Sequence, residues 1–245
     1  MQRKGNIVLS IVFDNNPGRE DLTPAWGFAC VIQGLDRTIL FDTGGDGQVL
    51  LENMRAMRIA PEAIDAIVLS HPHGDHTGGL EAFLRARGGI DVYMAEGFPA
   101  SLKEAIRSAG GKAVDAPASV QICPDALTTG TLGQKAIPEH GLCLRTAEGW
   151  LLITGCAHPG IVEMTELGAG ACAGPVVAVM GGFHMGPCSP GQIQDAIGRL
   201  EGLGVRRAAP CHCSGDKARE QFERHFGPRC ELPCVGSVLT FDGVS

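Results

Sequence analysis

The sequence predicts a mixed α/β fold of the α+β kind, in which two β-sheets pack together and helices cover their outer faces. Three observations support this prediction. Segments rich in β-branched and aromatic residues cluster near the start of the chain. Helical and strand-like segments then alternate in both halves. The 245 residues, of which 44% are hydrophobic, are enough to bury a sizeable core.

The elements of the first half follow from hydrophobic periodicity and from the turn residues between segments. The second and third strand-like segments flank "GLD" and therefore suggest a hairpin. The predicted strands of this half cover 6–13, 26–33, 37–44, 66–70 and 91–95, and the predicted helices cover 46–57, 78–86 and 98–109.

The second half repeats this style without repeating the sequence. Two strands, 141–146 and 149–155, suggest a hairpin around "AEG", and Pro159 suits the first turn of a helix over 158–167. Residues 110–135 are expected to form loops and short strands. The other predicted strands cover 175–182, 205–210 and 235–241, and the other predicted helices cover 189–204 and 214–227.

Composition and charge narrow the classes of function. The formal net charge of −7 argues against a general nucleic-acid binder, which would have a basic face. No segment approaches the roughly 18 apolar residues of a membrane span, and the apolar run near the start is too short for a signal peptide. The ten cysteines are then expected to be free thiols or metal ligands. We expect a cytoplasmic protein that acts on a small molecule and binds neither nucleic acid nor membrane.

The segment "VLSHPHGDHTGGL" at 68–80 concentrates potential metal ligands directly after a predicted strand. The nitrogen and oxygen donors of His71, His73, Asp75 and His76 suit zinc, and also manganese or iron. These four residues are enough to begin two sites, the first with His71 and His73, the second with Asp75 and His76. The alternative is a polar surface turn that carries histidines by chance.

Four segments, taken in order, carry a resemblance to a known family: "SHPHGDHTGGL", "ITGCAHPGIV", "GGFHMG" and "PCHCSG", with "FDTG" upstream. They resemble the metallo-β-lactamase superfamily, and more narrowly the metal-dependent hydrolase group related to dihydropterin ribofuranosylaminobenzene phosphate synthase. The resemblance extends over nearly the whole chain. It implies a single domain over 1–245, a four-layer αββα sandwich with a metal site at one edge between the sheets.

The same resemblance implies where the remaining ligands come from. His158 would be the third ligand of the first metal, and His212 would complete the second. Cys156 stands where most members carry a bridging aspartate, and would bind metal as a thiolate or be a small buried thiol. His158 has its own alternative, a residue at a helix N-terminus that bonds the backbone. His140, sixteen residues before Cys156, competes with His158 for the first site.

Other residues near these motifs are expected to support the site. Asp42 would accept a hydrogen bond from a ligand histidine, although its position also suits a turn-forming aspartate. Asp75 would orient the nucleophile as well as bind metal. His184 follows a strand and would be a ligand, a substrate-binding group or a proton donor; we favour a role in the pocket, as a catalytic residue.

Four further residues are expected to lie outside the ligand set. Cys211 and Cys213 flank His212, and neighbours on a strand point away from each other's side, so they are expected to pack or to support the ligands. Trp26 stands where the related group commonly has a histidine, and would line the pocket wall or belong to the core. His225 is expected on the surface of an amphipathic helix.

The resemblance implies a hydrolase with two divalent ions, most simply zinc, with manganese or iron as alternatives. Such ions, about 3.5–4 Å apart, hold a hydroxide that attacks an ester, a phosphoester or a related small-molecule substrate. One rival is a transferase of the synthase type, which would release pyrophosphate. Another is a metal-binding or redox module without hydrolytic turnover, which the ten cysteines and the "CHC" triplet would suit.

Overall fold

The computed structural model describes residues 5–133 and 137–244. The ends of the predicted domain, and the last two positions of the 110–135 segment, lie outside these ranges. The strands are β1 (Ile7–Asp14), β2 (Phe28–Gln33), β3 (Ile39–Phe41), β4 (Ala66–Leu69), β5 (Asp91–Met94), β6 (Lys112–Asp115), β7 (Gln121–Cys123), β8 (Ala126–Thr128), β9 (Leu142–Thr146), β10 (Gly149–Thr154), β11 (Val176–Gly182), β12 (Arg207–Cys211) and β13 (Val238–Phe241). The α-helices are α1 (Gly47–Ala56), α2 (Gly74–Thr77), α3 (Leu80–Arg87), α4 (Ala100–Ser108), α5 (Ile161–Cys172), α6 (Pro190–Gly202) and α7 (Asp216–Phe226).

The strands form two sheets that face each other. The first has the order β13-β1-β2-β3-β4-β5-β6, and the second has the order β12-β11-β10-β9-β8-β7. Helices α1, α3 and α4 pack on the outer face of the first sheet, and α5, α6 and α7 pack on the outer face of the second. The predicted four-layer αββα sandwich is therefore confirmed.

The strands are buried on both faces because each layer has its own apolar core. In β2, Phe28, Cys30 and Ile32 belong to the core between the two sheets, whereas Ala29 and Val31 pack under the helices. Successive side chains of a strand point to opposite faces, so a continuous apolar run fills both cores at once. This is why the central strands read as unbroken hydrophobic segments in the sequence.

The strand directions bring several strand ends to one edge of the sandwich. Strands β3 and β4 are parallel, and β1 runs the same way because both it and β3 are antiparallel to β2. In the second sheet β10, β11 and β12 are parallel to one another. The segments that follow β1, β3 and β4 meet those that follow β10 and β12, as a hydrogen bond of 3.1 Å from the His212 N–H to the Asp14 carboxylate shows.

The predicted hairpins are confirmed, and so are short strands between residues 110 and 128, but some details were wrong. The hairpins are the antiparallel pairs β2–β3 and β9–β10. Pro159 does not lie in the first turn of a helix. Gly160, at φ 110°, has a non-helical backbone conformation, and α5 begins after it, at Ile161. The short helix α2 inside the histidine segment was not predicted. No helix in the described ranges combines the length and the apolar character needed to cross a bilayer.

Candidate metal centre

Two sets of three donor residues lie side by side at the shared edge. His71, His73 and His158 form one set, and their ligand atoms lie within 4.8 Å of one another. The same holds for the second set, Asp75, His76 and His212. The structure thus brings together all six nitrogen and oxygen donors that the sequence singled out, three from each predicted site.

The spacing of the donor atoms matches the spacing of ligands around one ion. The Nε2 atoms of His71 and His158 are 3.3 Å apart, and those of His76 and His212 are 3.2 Å apart. The Asp75 Oδ2 atom lies 3.4 Å from the His212 Nε2 atom. Nitrogens that bind zinc tetrahedrally at about 2.0–2.1 Å are roughly 3.3 Å apart. These three pairs of donor atoms are therefore spaced as ligands of one zinc-sized ion would be.

One carboxylate sets the tautomers of two of these histidines. The His76 Nδ1 atom lies 2.7 Å from the Asp42 Oδ2 atom. The Ser70 hydroxyl donates to the same oxygen at 2.8 Å and lies 2.9 Å from the His71 Nδ1 atom. A carboxylate can only accept, so His76 donates from Nδ1, and His71 donates from Nδ1 to the Ser70 oxygen. Both histidines then carry a lone pair on Nε2, the atom that faces the centre.

His212 is oriented in the same way by a residue at the end of β1. Its Nδ1 atom lies 2.8 Å from the Asn15 Oδ1 atom, while the Asn15 amide nitrogen donates to the His212 carbonyl oxygen. The Nε2 lone pair of His212 therefore faces the Nε2 lone pair of His76 at 3.2 Å. Two lone pairs at this distance repel each other unless a cation lies between them, so the residues present fit a divalent metal ion.

Cys156 lies between the two sets. Its buried Sγ atom is 3.3 Å from the His76 Nε2 atom. Its Sγ atom lies within 4.8 Å of ligand atoms of His71, from the first set, and of His76 and His212, from the second set. A thiolate is a good zinc ligand, and this position would allow it to contact ions in both sets.

The loop that carries Cys156 and His158 is held by a residue that sequence reasoning missed. The Glu139 carboxylate accepts hydrogen bonds from the backbone N–H groups of Cys156, Ala157 and His158 at 2.8–2.9 Å. Burial raises the pKa of Glu139, although these three N–H groups favour the carboxylate form. Three converging donors around one buried side chain fix the loop in place.

Cys213 corrects the expectation that both neighbours of His212 point away from it. Its Sγ atom lies 3.2 Å from the Sγ atom of Cys156, and it groups with Cys156 and His212 as a possible ligand. The strand rule fails here because His212 has a φ of 47° and begins a 3₁₀ turn over His212–Ser214. Cys211, still on the strand, packs in the core between the sheets as expected.

The two sulfurs cannot both be thiolates, because two negative charges at 3.2 Å would repel each other. The hydrogen bond with Cys156 lowers the pKa of Cys213 to about 4, and His184 lowers it further. The same hydrogen bond, together with burial, raises the pKa of Cys156. All ten cysteines are free thiols.

Three of the donors have pKa values shifted towards the form that binds metals, whereas Asp42 raises the pKa of His76 against the effect of its burial. Burial lowers the pKa of His71 far below its ordinary value, and His76 and His158 lower it further. Burial and the nearby His184 lower the pKa of His158 to about 4. The pKa of Asp75 is lowered despite partial burial, chiefly by its hydrogen bond with His212 and by His76. Neutral imidazoles and an ionised carboxylate are the forms that coordinate a cation.

The backbone is strained at the same edge. In the described ranges, six residues other than glycine adopt a left-handed φ, and four of them follow strands at the centre. These four are Asp42, Ala157, His184 and His212, with φ between 47° and 56°. Strain of this kind persists only where the surrounding structure enforces it, and it concentrates at functional sites.

The structure separates the two histidines that competed for the first set. His158 has its Nε2 atom 3.3 Å from that of His71. His140 is fully buried, burial lowers its pKa to about 4, and it belongs to none of the donor groups found among the described residues. His225 lies on the exposed side of α7 beside Glu201, as expected.

Three exposed side chains surround the solvent side of the centre. His73 belongs to the first donor set, and the ring of His184 lies 4.4 Å from that of His158. The ring of Trp26 lies 5.0 Å from that of His212, and Trp26 is 62% exposed, so it is not part of the core. A substrate can therefore approach the donor atoms from this side.

Comparison with known proteins agrees with the fold. The fold and the paired donor sets define a protein of the metallo-β-lactamase type. The model of the metallo-beta-lactamase superfamily matches residues 27–167, and the chain belongs to this superfamily. Its members generally bind divalent metal ions.

Three similar proteins illustrate the range of the family. A 7,8-dihydropterin-6-methyl-4-(beta-D-ribofuranosyl)-aminobenzene-5'-phosphate synthase from Methanocaldococcus jannaschii is 30% identical over 85% of this chain and 86% of its own length. The crystal structure of Tm1679, a metal-dependent hydrolase of the beta-lactamase superfamily, matches with a TM-score of 0.79 and 25% identity over 95% of this chain and 98% of that one. The short form of human tRNase Z, at a TM-score of 0.61 and 16% identity over 96% of this chain and 99% of its own, shows the shared fold alone.

Proposed function

We propose that this protein is a metal-dependent hydrolase that cleaves an ester, a phosphoester or a related bond in a small molecule. The observation that supports the proposal is the pair of donor sets, in each of which two histidine Nε2 atoms lie 3.2–3.3 Å apart. Divalent ions, most simply two zinc ions, would be held by His71, His73 and His158 and by Asp75, His76 and His212, with Cys156 between them. When bound, such ions supply Lewis acidity and lower the pKa of a coordinated water.

The protein's own groups would then complete the reaction. Asp75 is partly exposed and ionised, so its carboxylate can accept a hydrogen bond from the attacking water and orient it. His184 lies on the solvent side, next to His158, where its imidazole can donate a proton to the leaving group. Asp42, Ser70 and Asn15 keep the ligand histidines in one tautomer throughout.

The experiment is an assay of metal-free and zinc- or manganese-loaded protein with bis(4-nitrophenyl) phosphate and 4-nitrophenyl acetate. We expect turnover of at least one of them only after loading, and its loss on chelation. His71→Ala should lower the rate by at least roughly 100-fold, the upper end of the cost of losing a supporting partner. His225→Ala, on the exposed side of α7, is the matched control and should leave the rate unchanged. Turnover that does not depend on the metal or on His71 would contradict the proposal.

A transferase is the second candidate, and the synthase from Methanocaldococcus jannaschii is the reason to test it. In that case ions held by the same donors would coordinate a pyrophosphate group while a carbon nucleophile of a second substrate, and not water, attacks. Pyrophosphate release that requires a pterin-like second substrate would favour the transferase. Release or ester cleavage in water alone would favour the hydrolase.

A further inference from the structure

Trp26 is a large apolar side chain left exposed beside the candidate metal centre. It is 62% exposed, and its ring centroid lies 5.0 Å from that of His212, with the two planes tilted by 51°. The other two large apolar residues exposed in the described part of the chain are aliphatic: Leu203, which follows α6, and Val238, which begins β13. Among these three exposed apolar residues, Trp26 is the aromatic one, and it lies next to the donor atoms.

The backbone around Trp26 is packed against the segment that carries Asp75. A Cβ atom on Gly27, which has a φ of 140°, would lie 2.3 Å from the Asp75 carbonyl oxygen. A Cβ atom on Gly45 would lie 2.7 Å from the Trp26 carbonyl oxygen. The Ala25 N–H also donates to the Asp14 carbonyl oxygen at 3.2 Å. These contacts hold Trp26 at a fixed height relative to the second donor set.

We propose that Trp26 is a substrate-binding residue that stacks against a planar, unsaturated ring of the substrate. The inference rests on the proposed function, because it assigns the substrate's reacting ester or phosphoester group to the donor edge and its ring to the indole beside that edge. A rigid indole presents a wide π face at little conformational cost, and offset stacking adds to the gain from burying it. The substrate class is therefore an ester or phosphoester that carries an aromatic or heteroaromatic ring close to the reacting group.

The test compares two phosphonate probes, one with a phenyl ring and one with a methyl group in its place. Phenylphosphonate and methylphosphonate carry the same anionic group, and their affinities for zinc-loaded protein can be measured by isothermal titration calorimetry. We expect phenylphosphonate to bind about tenfold more tightly, the size that one aromatic contact gives. Trp26→Leu should remove most of this preference, because the π face is lost, and Trp26→Phe should retain most of it.

The unchanged protein and the two Trp26 variants also distinguish stacking from simple apolar contact, because leucine keeps an apolar side chain and phenylalanine keeps the π face. Thermal unfolding and metal content of each variant establish that fold and centre are intact. A phenyl preference that survives in Trp26→Leu, or no preference in the unchanged protein, would overturn the inference. So would conversion of a dimer to a monomer by Trp26→Leu, since Trp26 would then be covered by a second copy.

The two proposals fail in different ways. Loss of the proposed function means that the loaded protein hydrolyses neither ester, whereas the phosphonate preference is an equilibrium measurement that needs no turnover. A protein that hydrolyses esters without using Trp26 to select the phenyl probe would retain the proposed function and lose only the inference.

Discussion

Asp42 connects to both donor sets through hydrogen bonds with neighbouring side chains. One of its oxygens contacts His76 directly and His71 through the Ser70 hydroxyl, while the other accepts from the Ser70 N–H at 2.7 Å. All of these partners donate to it. The carboxylate is therefore matched to its surroundings in a way that an amide of the same size cannot be.

Asp42→Asn should weaken metal binding without removing any side chain from the site. Whichever way the new amide is turned, its NH₂ group faces at least one donor that the carboxylate accepted, so His76 or Ser70 loses its orientation. We expect metal affinity to fall by about 10–100-fold, measured by competition with a chelator of known affinity. Asp46→Asn is the control, because Asp46 is exposed and caps α1, where asparagine serves equally well. Equal losses in both variants would contradict this role for Asp42.

Glu139→Gln should destabilise the protein and loosen the Cys156–His158 loop. Glutamine has one acceptor oxygen, and its NH₂ group would face at least one of the three backbone N–H groups that Glu139 now binds. A buried donor left without a partner costs about 1–3 kcal/mol, which urea unfolding would measure. Glu81→Gln, at an exposed ion pair on α3, should cost much less. Unchanged stability and metal affinity in the Glu139→Gln protein would show that these three hydrogen bonds are dispensable.

At the residue scale, the sequence singled out the candidate donors and one group that supports them, Asp42, but missed the other supporting groups. Histidines and an aspartate that follow a buried strand are an unusual combination, so they stand out. Glu139 and Asn15 are common residues in ordinary surroundings, and each reaches its partner only through the folded chain. Ser70 is next to His71 in the sequence, but its contact with Asp42 also depends on the fold. Asn15 directly follows a predicted strand, which was a usable signal; nothing local marks Glu139.

At the scale of elements, the centre depends on the close approach of two loops from different sheets. The loop after β10 passes next to the end of β4, where a Cβ atom on Gly155 would lie 2.0 Å from the Ser70 Oγ atom and 3.0 Å from the Asp42 Oδ2 atom. Only glycine allows this contact, and through it the two halves of the site meet.

Gly155→Ala should therefore displace the Ser70–Asp42 pair and impair metal binding. We expect a loss of about 1–3 kcal/mol in the free energy of unfolding, typical of an overpacked site, together with reduced metal content. Gly198→Ala on α6 is the matched control, since no atom lies within 4 Å of the new Cβ. Alanine favours a helix interior by up to about 1 kcal/mol, so this variant should be as stable or more stable. If both variants bound metal equally well, the loop contact would not matter for the centre.

Element prediction succeeded where the pattern is local and failed where the backbone departs from it. Apolar runs and turn residues located the strands that end at the centre, and with them the donors. The predicted direction of the Cys213 side chain was wrong, because the left-handed φ of His212 ends the alternation of side chains along the strand. No neighbouring glycine marks that change in the sequence. Pro159 was predicted to lie in a helix, but the helix begins only after Gly160.

At the scale of the whole molecule, a negatively charged chain places a candidate cation site at one edge of its two sheets. The formal net charge is −7, yet the donor edge is built chiefly from histidines. Bound divalent ions would make this edge locally positive and suited to an anionic or polar substrate. We therefore expect two ions to bind here, one in each donor set.

The most direct measurement is anomalous diffraction at the zinc absorption edge from crystals of the zinc-loaded protein. We expect two peaks about 3.5–4 Å apart, one bounded by His71, His73 and His158 and the other by Asp75, His76 and His212, with Cys156 in reach of both. The absence of any peak at this edge, or a single peak elsewhere, such as at His140, would contradict the account.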